Sequence, residues 1–138
     1  KIYLIDGTIT NNITLSSDLE NNDIEKFKEV IKLSKLSDFF EQDKVEKVTG
    51  ERGVKLSGGQ IQKIGIGRAL FKKSDLLILD EGTVALDKKN EEDIITNLVS
   101  LDYKPTIIFI THKTNLLKHF DLVYELKNGE INQINITS

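Results

Sequence analysis

Two short apolar runs, separated by a stretch of helical character, constrain the fold of this chain most strongly. The first run covers residues 75–80 and ends in an acidic residue, and the second covers residues 106–110. Both are short and continuously apolar, so each predicts a buried β-strand. Between them, Asp87 can cap a helix that runs to about Leu101. Strand, helix and strand in this order predict a parallel α/β sheet.

The rest of the chain predicts helices before this sheet and a β-hairpin after it. Apolar residues recur at helical spacing over residues 23–40, and Asn128-Gly129 separates two strand-like segments near the end. The further predicted segments are a loop over 1–22 with a brief helical turn around 11–15, one or two amphipathic helices over 23–40, a loop over 41–56, a helix from 57 to about 73, a short helix around 115–120, and hairpin strands over 122–126 and 130–136. The predicted fold class is α/β, with a helical part over about 1–73 and a sheet part over about 74–138.

Composition excludes several kinds of site. The formal net charge of -3 and the pI near 5.4 give no overall basic footprint, so we expect no nucleic-acid partner. Cysteine is absent, which excludes disulfides and thiolate metal sites, and two histidines are too few for a histidine-based metal site. The longest apolar runs are far shorter than the roughly 20 residues that a transmembrane helix needs.

The segment Leu56-Ser57-Gly58-Gly59-Gln60 has the features of an anion-binding loop. Its two glycines let the backbone approach a ligand closely, and the N–H groups at the start of the following helix favour a negative charge. Ser57 adds a hydroxyl donor. Ser57 and Gln60 also stand at capping-box spacing, so a helix cap alone accounts for an isolated segment of this kind. The chain contains no GxxxxGK[ST] segment, the usual phosphate cradle, so the rest of such a site would lie elsewhere.

Ionisable side chains follow both predicted strands. Asp80 and Glu81 stand at the end of the first strand, where one carboxylate can face a metal-water shell and the next can polarise a nucleophilic water. His112 follows the second strand, and the carboxyl ends of parallel strands open onto the same crevice, so His112 could donate to a phosphate there. Taken alone, these residues are better explained as an acidic turn after a strand and as a surface or capping histidine. His119 has no comparable setting, and we interpret it as structural.

Together and in this order, these segments resemble the nucleotide-binding domain of ABC transporters. The resemblance covers essentially the whole chain, and it is specific because the signature-like segment is followed at the expected interval by the acidic strand. Leu56–Gln60 looks like the signature motif, Leu76–Glu81 like Walker B, Val84–Asp87 like the D-loop, and His112 like the H-loop histidine. Two further stretches are similar to exporter-type ATPases, namely Gly7-Thr8-Ile9 with Asn12-Ile13, and Gly50-Glu51-Arg52-Gly53.

The resemblance implies a function for each of these segments. In the family, two such domains pair head to tail, and each ATP lies between the Walker A motif of one domain and the signature of the other. The resemblance implies that Ser57, Gly58 and Gly59, in the cofactor-binding motif that includes Gln60, contact the γ-phosphate of a partner's ATP. It implies that Asp80 binds Mg²⁺ through water, and that Glu81 is a general base or a water-orienting carboxylate. It also implies that His112 contacts the γ-phosphate and that Asp87 signals across the dimer.

The resemblance also implies partners and a location. We expect a second nucleotide-binding domain and the transmembrane domains of the same transporter, at the cytoplasmic face of a bacterial cell membrane, with the cargo left open. The Q-loop glutamine would lie immediately before Lys1 and Walker A further upstream, so we expect a partial domain that is inactive alone.

The sequence departs from the family pattern at a few glycines and one valine. Gly82 and Val84 replace an alanine and a serine that are common in the family at these positions. Gly65 and Gly67 lie inside the signature helix, where each costs about 0.5–1 kcal/mol relative to alanine.

Two other functions share part of this pattern. A DNA-maintenance ATPase of the SMC type also has a signature, Walker B and D-loop, but such proteins place long coiled coils beside the ATPase halves. This sequence shows neither heptads nor a basic stripe, and its exporter-like stretches favour transport. A non-enzymatic interaction module is a third interpretation, which Glu81 and His112 weaken. The sequence therefore predicts part of the ATPase of an ABC exporter.

Overall fold

The computed structural model describes residues 2–16, 19, 21–40 and 56–135. The exporter-like stretch 50–53 and nearly all of the predicted loop 41–56 lie outside the described residues. The elements are α1 (Ile9–Thr14), α2 (Ile24–Leu33), α3 (Gly58–Lys72), β1 (Leu76–Asp80), α4 (Lys88–Val99), β2 (Thr106–Ile110), β3 (Val123–Lys127) and β4 (Glu130–Ile134), with short 3₁₀ helices at Asn21–Asp23, Ser37–Phe39 and Thr114–His119.

The two predicted strands pair in parallel, as expected from the intervening helix. β1 and β2 run side by side from Leu76 opposite Thr106 to Asp80 opposite Ile110, with α4 in the connection. This pairing and the hairpin described below confirm the predicted α/β fold class. The prediction that the strands are buried is wrong for one of their two faces.

One face of the parallel pair packs on the helices and the other is open. Leu77 is 4% exposed and belongs to the hydrophobic core, whereas Ile78 is 61% exposed. Ile108, which is paired with Ile78, is exposed too. Side chains alternate between faces along a strand, and a continuously apolar run carries no period that would reveal a single covered face. Among the described residues, no element covers the outer face.

The β-hairpin forms where the sequence predicts it. β3 and β4 pair antiparallel from Val123 opposite Ile134 to Lys127 opposite Glu130. The two turn residues have positive φ, 53° at Asn128 and 82° at Gly129, as a type I′ turn requires. Asparagine and glycine tolerate this backbone best, which explains the turn at this position.

Helix α3 begins at the residue that its cap predicts. Ser57 and Gln60 form both bonds of a capping box, and the helix ends where Lys73 turns left-handed with φ of 53°. One of its two inner glycines allows another segment to come close. A Cβ atom at Gly65 would lie 2.5 Å from Ile2 Cδ1, so the Ile2 side chain would have to move, whereas one at Gly67 would lie 3.4 Å from Ile13 Cδ1, an ordinary contact distance. Gly65 therefore serves packing, at the expense of intrinsic helix propensity.

Residues 2–16 contain more regular structure than the loop predicted for this part of the chain. The brief helical turn is present as α1, and Asn12 within it is fully buried. The Asn12 side chain accepts from Ile5 N at 2.9 Å and donates to Ile5 O at 3.0 Å. Arg68 of α3 donates to the backbone oxygens of Asn12 at 2.8 Å and Tyr3 at 3.0 Å. These bonds hold the segment against the signature-like helix.

The hydrophobic core lies between the four helices and the inner face of β1. No helix in the described part of the chain combines the length and apolarity that crossing a membrane requires. The large hydrophobic side chains that are almost completely buried are Ile9, Ile13, Leu36, Ile64, Ile94, Ile95 and Leu116.

Candidate functional site

The candidate site lies at the carboxyl edge of the parallel strands. Asp80 is the last residue of β1, and Glu81 follows it with a left-handed φ of 47°. The N–H of Glu81 donates at 3.0 Å to the backbone oxygen of Ile110, which is the last residue of β2. Both acidic residues are exposed. This edge is where ligands bind in open parallel α/β sheets.

Glu81 and His112, which are 31 positions apart in the sequence, meet at this edge. His112 Nε2 lies 3.1 Å from Glu81 Oε1. The His112 side chain is 90% exposed and that of Glu81 is 49% exposed, so an incoming ligand can reach both. Lys113 N donates to Thr111 Oγ1 at 3.0 Å, which shapes the turn that carries the histidine. The structure thus brings together Glu81, the predicted base, and His112, the predicted γ-phosphate contact.

The signature-like loop lies against the D-loop-like segment. A Cβ atom at Gly59 would lie 2.8 Å from the backbone oxygen of Ala85, and one at Gly58 would lie 3.4 Å from Ala85 Cβ. Ser57 Oγ accepts from Gln60 N at 3.3 Å, and Gln60 Oε1 accepts from Ser57 N at 2.8 Å. The cap uses the Ser57 hydroxyl as an acceptor, so its proton stays available to a ligand.

Asp87 caps α4, as its position in the sequence predicts. Its carboxylate accepts from Asn90 N at 3.0 Å and from the Asn90 side-chain amide. These two bonds, the backbone one first, hold the pKa of Asp87 below its usual value. The side chain lies at the surface. Signalling across a dimer stays a prediction for this residue.

Gln62 connects the two halves of the site, a role that its sequence position does not predict. Its Nε2 donates to Glu81 O at 3.2 Å, and its Oε1 accepts from Ala85 N at 2.8 Å. A glutamine two residues beyond Gln60 gives no sign of this in sequence, because a polar residue near the start of a helix ordinarily faces water. The signature-like helix is therefore bonded directly to the turn after Asp80.

A buried ionic cluster also lies beside the site. Glu91 of α4 is 2% exposed and accepts from Thr83 Oγ1 at 2.7 Å. Lys113 Nζ lies 2.9 Å from both carboxylate oxygens of Glu91. In the sequence, Glu91 stands out only as an acidic residue near a helix N-terminus. Its partner Thr83 lies three residues after Asp80, and its partner Lys113 lies one residue after His112. The cluster therefore joins the loops that follow β1 and β2 to α4.

His119 has the structural setting expected for it. Its Nε2 lies 2.6 Å from Glu92 Oε2 in a partly buried contact between the 3₁₀ helix Thr114–His119 and α4. The hydrogen bond with His119, with help from the charge of Lys118, holds the pKa of Glu92 below its usual value.

The acidic edge suits a magnesium ion that arrives with a phosphate ligand. Among the described residues, no group of three or more side chains could hold a metal ion by itself. Mg²⁺ usually keeps several waters and is bound through one or two carboxylates plus substrate phosphates. Asp80 is an exposed carboxylate at the end of β1, which fits that mode of binding.

Comparison with known proteins supports the resemblance. The family model described as ABC transporter matches residues 6–84, more than half of the chain. This chain belongs to the ABC transporter family. The matched range runs from the segment before α1 to the turn after Asp80, so it includes the segments that resemble the signature motif and Walker B.

Relatives of this ABC transporter chain are similar along nearly its whole length. It is 36% identical over 140 residues to the ATP-dependent lipid A-core flippase of Pasteurella multocida (strain Pm70). It is 40% identical over 139 residues to the multidrug resistance-like ATP-binding protein MdlA of Buchnera aphidicola subsp. Baizongia pistaciae (strain Bp). Each alignment covers 96% of this chain and 23% of the relative, so the chain spans under a quarter of their length.

A solved structure supports the fold. The chain superimposes on a bacterial Atm1-family ABC exporter with ATP bound, with a TM-score of 0.80 and 30% sequence identity. The match covers 92% of this chain and 22% of that exporter. The parallel strands, the signature helix and the hairpin thus have the arrangement of an ABC exporter nucleotide-binding domain.

Proposed function

We propose that this chain is part of the ATP-binding domain of an ABC exporter and contributes to ATP hydrolysis that drives transport. Residues 1–73, approximately, would form the helical subdomain with the signature motif, and residues 74–138 the part of the catalytic core with Walker B, D-loop and H-loop. The contact between Glu81 and His112 carries the proposal. A carboxylate and an imidazole at 3.1 Å, both exposed at the carboxyl edge of a parallel sheet, suit phosphoryl transfer to water.

The two side chains divide the work at this edge. Glu81 Oε1 is engaged by His112, which leaves Oε2 to accept a hydrogen bond from the attacking water and orient it. When His112 is protonated, both of its ring nitrogens donate, so one can hold Glu81 while the other contacts a γ-phosphate oxygen. Mg²⁺, when bound with ATP, neutralises charge on the phosphates. Asp80 would hold that ion through its water shell.

The signature motif would act on a partner's nucleotide. Ser57 and Gly58 are exposed at the N-terminus of a 15-residue helix, where unpaired N–H groups and the helix dipole favour a phosphate. Gly59 and Gln60 complete the motif, and Asp87 lies in the neighbouring D-loop. We therefore propose a head-to-tail pair of nucleotide-binding domains, joined to transmembrane domains at the cytoplasmic face of a bacterial membrane. The relatives differ in the cargo that their names give, so we propose export without a particular cargo.

Steady-state ATP turnover by the complete transporter that contains this chain tests the proposal. Glu81→Gln and His112→Ala should each lower kcat by roughly 10²-fold or more, because each removes a group that acts on the reacting atoms. Glu125→Gln is the matched control, since it makes the same change at an exposed position on β3. The proposal fails if Glu81→Gln turns over ATP within about twofold of the control.

A further inference from the structure

Gln62 uses both ends of its side-chain amide on the turn that follows Walker B. Its Nε2 donates to the carbonyl of Glu81 and its Oε1 accepts from the N–H of Ala85, two residues at opposite ends of that turn. We propose that Gln62 is a positioning residue that fixes Glu81 and the D-loop relative to the signature helix. This inference rests on the proposed function of the site.

The backbone of Glu81 needs such support. Its φ of 47° lies in the left-handed region, which residues other than glycine rarely adopt unless the surrounding structure enforces it. The Glu81 N–H donates to Ile110 O at 3.0 Å, and its carbonyl accepts from Val84 N at 3.2 Å. Of these hydrogen bonds to the Glu81 backbone, the one from Gln62 comes from α3. Since the Glu81 side chain begins at the same Cα, a change in this backbone would move the carboxylate relative to His112.

The same side chain couples the D-loop to the signature. Ala85 N donates to Gln62, and Ala85 O faces Gly59 so closely that a Cβ atom there would lie at 2.8 Å. The start of α3 therefore holds Ala85 from both its N–H and its carbonyl side. Movement of the signature helix would carry the D-loop and the Glu81 carbonyl with it, which would link closure on a partner's nucleotide to placement of the base.

Two substitutions separate the two hydrogen bonds. Gln62→Ala removes both, whereas Gln62→Glu can still accept from Ala85 N–H but can no longer donate to the Glu81 carbonyl. Asn97→Ala is a matched control, because Asn97 Nδ2 makes a bond of the same kind to Leu33 O at 2.9 Å between α4 and α2, away from the site. All variants are made in the complete transporter, with Glu81→Gln as reference.

The measurements are kcat and KM for ATP, together with amide hydrogen exchange over residues 82–86. We expect both Gln62 variants to lose roughly 10- to 100-fold in kcat with KM within about twofold, since positioning acts on the transition state. Asn97→Ala should keep its kcat. Exchange at Ala85 should accelerate in Gln62→Ala and stay slow in Gln62→Glu, a difference that a general loss of stability would not produce.

The outcomes distinguish this inference from the proposed function. If Glu81→Gln stops turnover but Gln62→Ala keeps normal kcat, the positioning role of Gln62 is overturned and the proposed function stands. If Glu81→Gln retains turnover, the proposed function is overturned, and the exchange measurement still tests the bridge. Unchanged exchange at Ala85 in Gln62→Ala overturns the bridge in either case.

Discussion

Replacing Lys113 with methionine should leave a buried carboxylate without its cation. Glu91 is 2% exposed, and Lys113 Nζ lies 2.9 Å from both of its oxygens, so within the described part of the chain the variant keeps only the Thr83 hydroxyl as a donor at 2.7 Å. Removing one partner of a buried ion pair typically costs about 3–5 kcal/mol. The Lys113 side chain is 37% exposed, so water can partly replace the ammonium group. We therefore expect a loss of about 2–3 kcal/mol in the free energy of unfolding.

A double-mutant cycle measures this coupling. Glu91→Gln removes the charge and keeps an oxygen for Thr83, so alone it should cost about 0.5 kcal/mol, and the double variant with Lys113→Met should unfold within about 1 kcal/mol of wild type, giving a coupling near 2 kcal/mol. The assay is urea unfolding of the complete nucleotide-binding domain that contains this chain. Lys118→Met is the control, since its pair with Glu92 at 3.4 Å is more exposed and should contribute about 0–1 kcal/mol. Additive single effects, or an equal loss in the control, would refute the reasoning.

Three further predictions concern stability, pH and activity. Tyr103→Phe should raise the free energy of unfolding by up to about 1 kcal/mol in thermal or urea melts, because the buried Tyr103 hydroxyl has no hydrogen-bond partner among the described residues; a clear loss would count against this. The pKa of Glu92 is held below 4.5 by His119, so its contribution to stability is complete above pH 4.5 and is lost as the pH falls through the lowered value. Glu92→Gln should therefore flatten the decline of the urea midpoint in acid, and an unchanged decline would contradict it. The 138-residue chain alone should not hydrolyse ATP, because it contains no GxxxxGK[ST] segment; magnesium-dependent turnover that Glu81→Gln abolishes would disprove this.

Local signals in the sequence predict most elements of this fold. The cap at Ser57, the turn at Asn128-Gly129 and the second strand all depend on residues within a few positions of each other, and each forms where predicted. The short helix near residues 115–120 is present but is a 3₁₀ helix over Thr114–His119. Such distinctions depend on the surrounding packing, which single-sequence patterns do not contain.

The residues that the sequence did not predict act over long separations in the chain. Gln62 bonds to positions 19 and 23 residues away, and Lys113 reaches across 22 residues to Glu91. Each looks like an ordinary polar residue of a helix or a loop until the fold places its partner nearby. By contrast, the meeting of Glu81 and His112 could be anticipated, because both follow strands of one parallel sheet.

The nucleotide retained after a single turnover tests the central claim most directly. The complete transporter is mixed with ATP and Mg²⁺, freed of unbound nucleotide, and the bound nucleotide is identified for wild type and Glu81→Gln. If Glu81 orients the attacking water, the variant should hold intact ATP while wild type holds ADP or has released it. Bound ADP and free phosphate in Glu81→Gln, at the wild-type rate, would contradict the assignment of Glu81 and His112 as the hydrolytic pair.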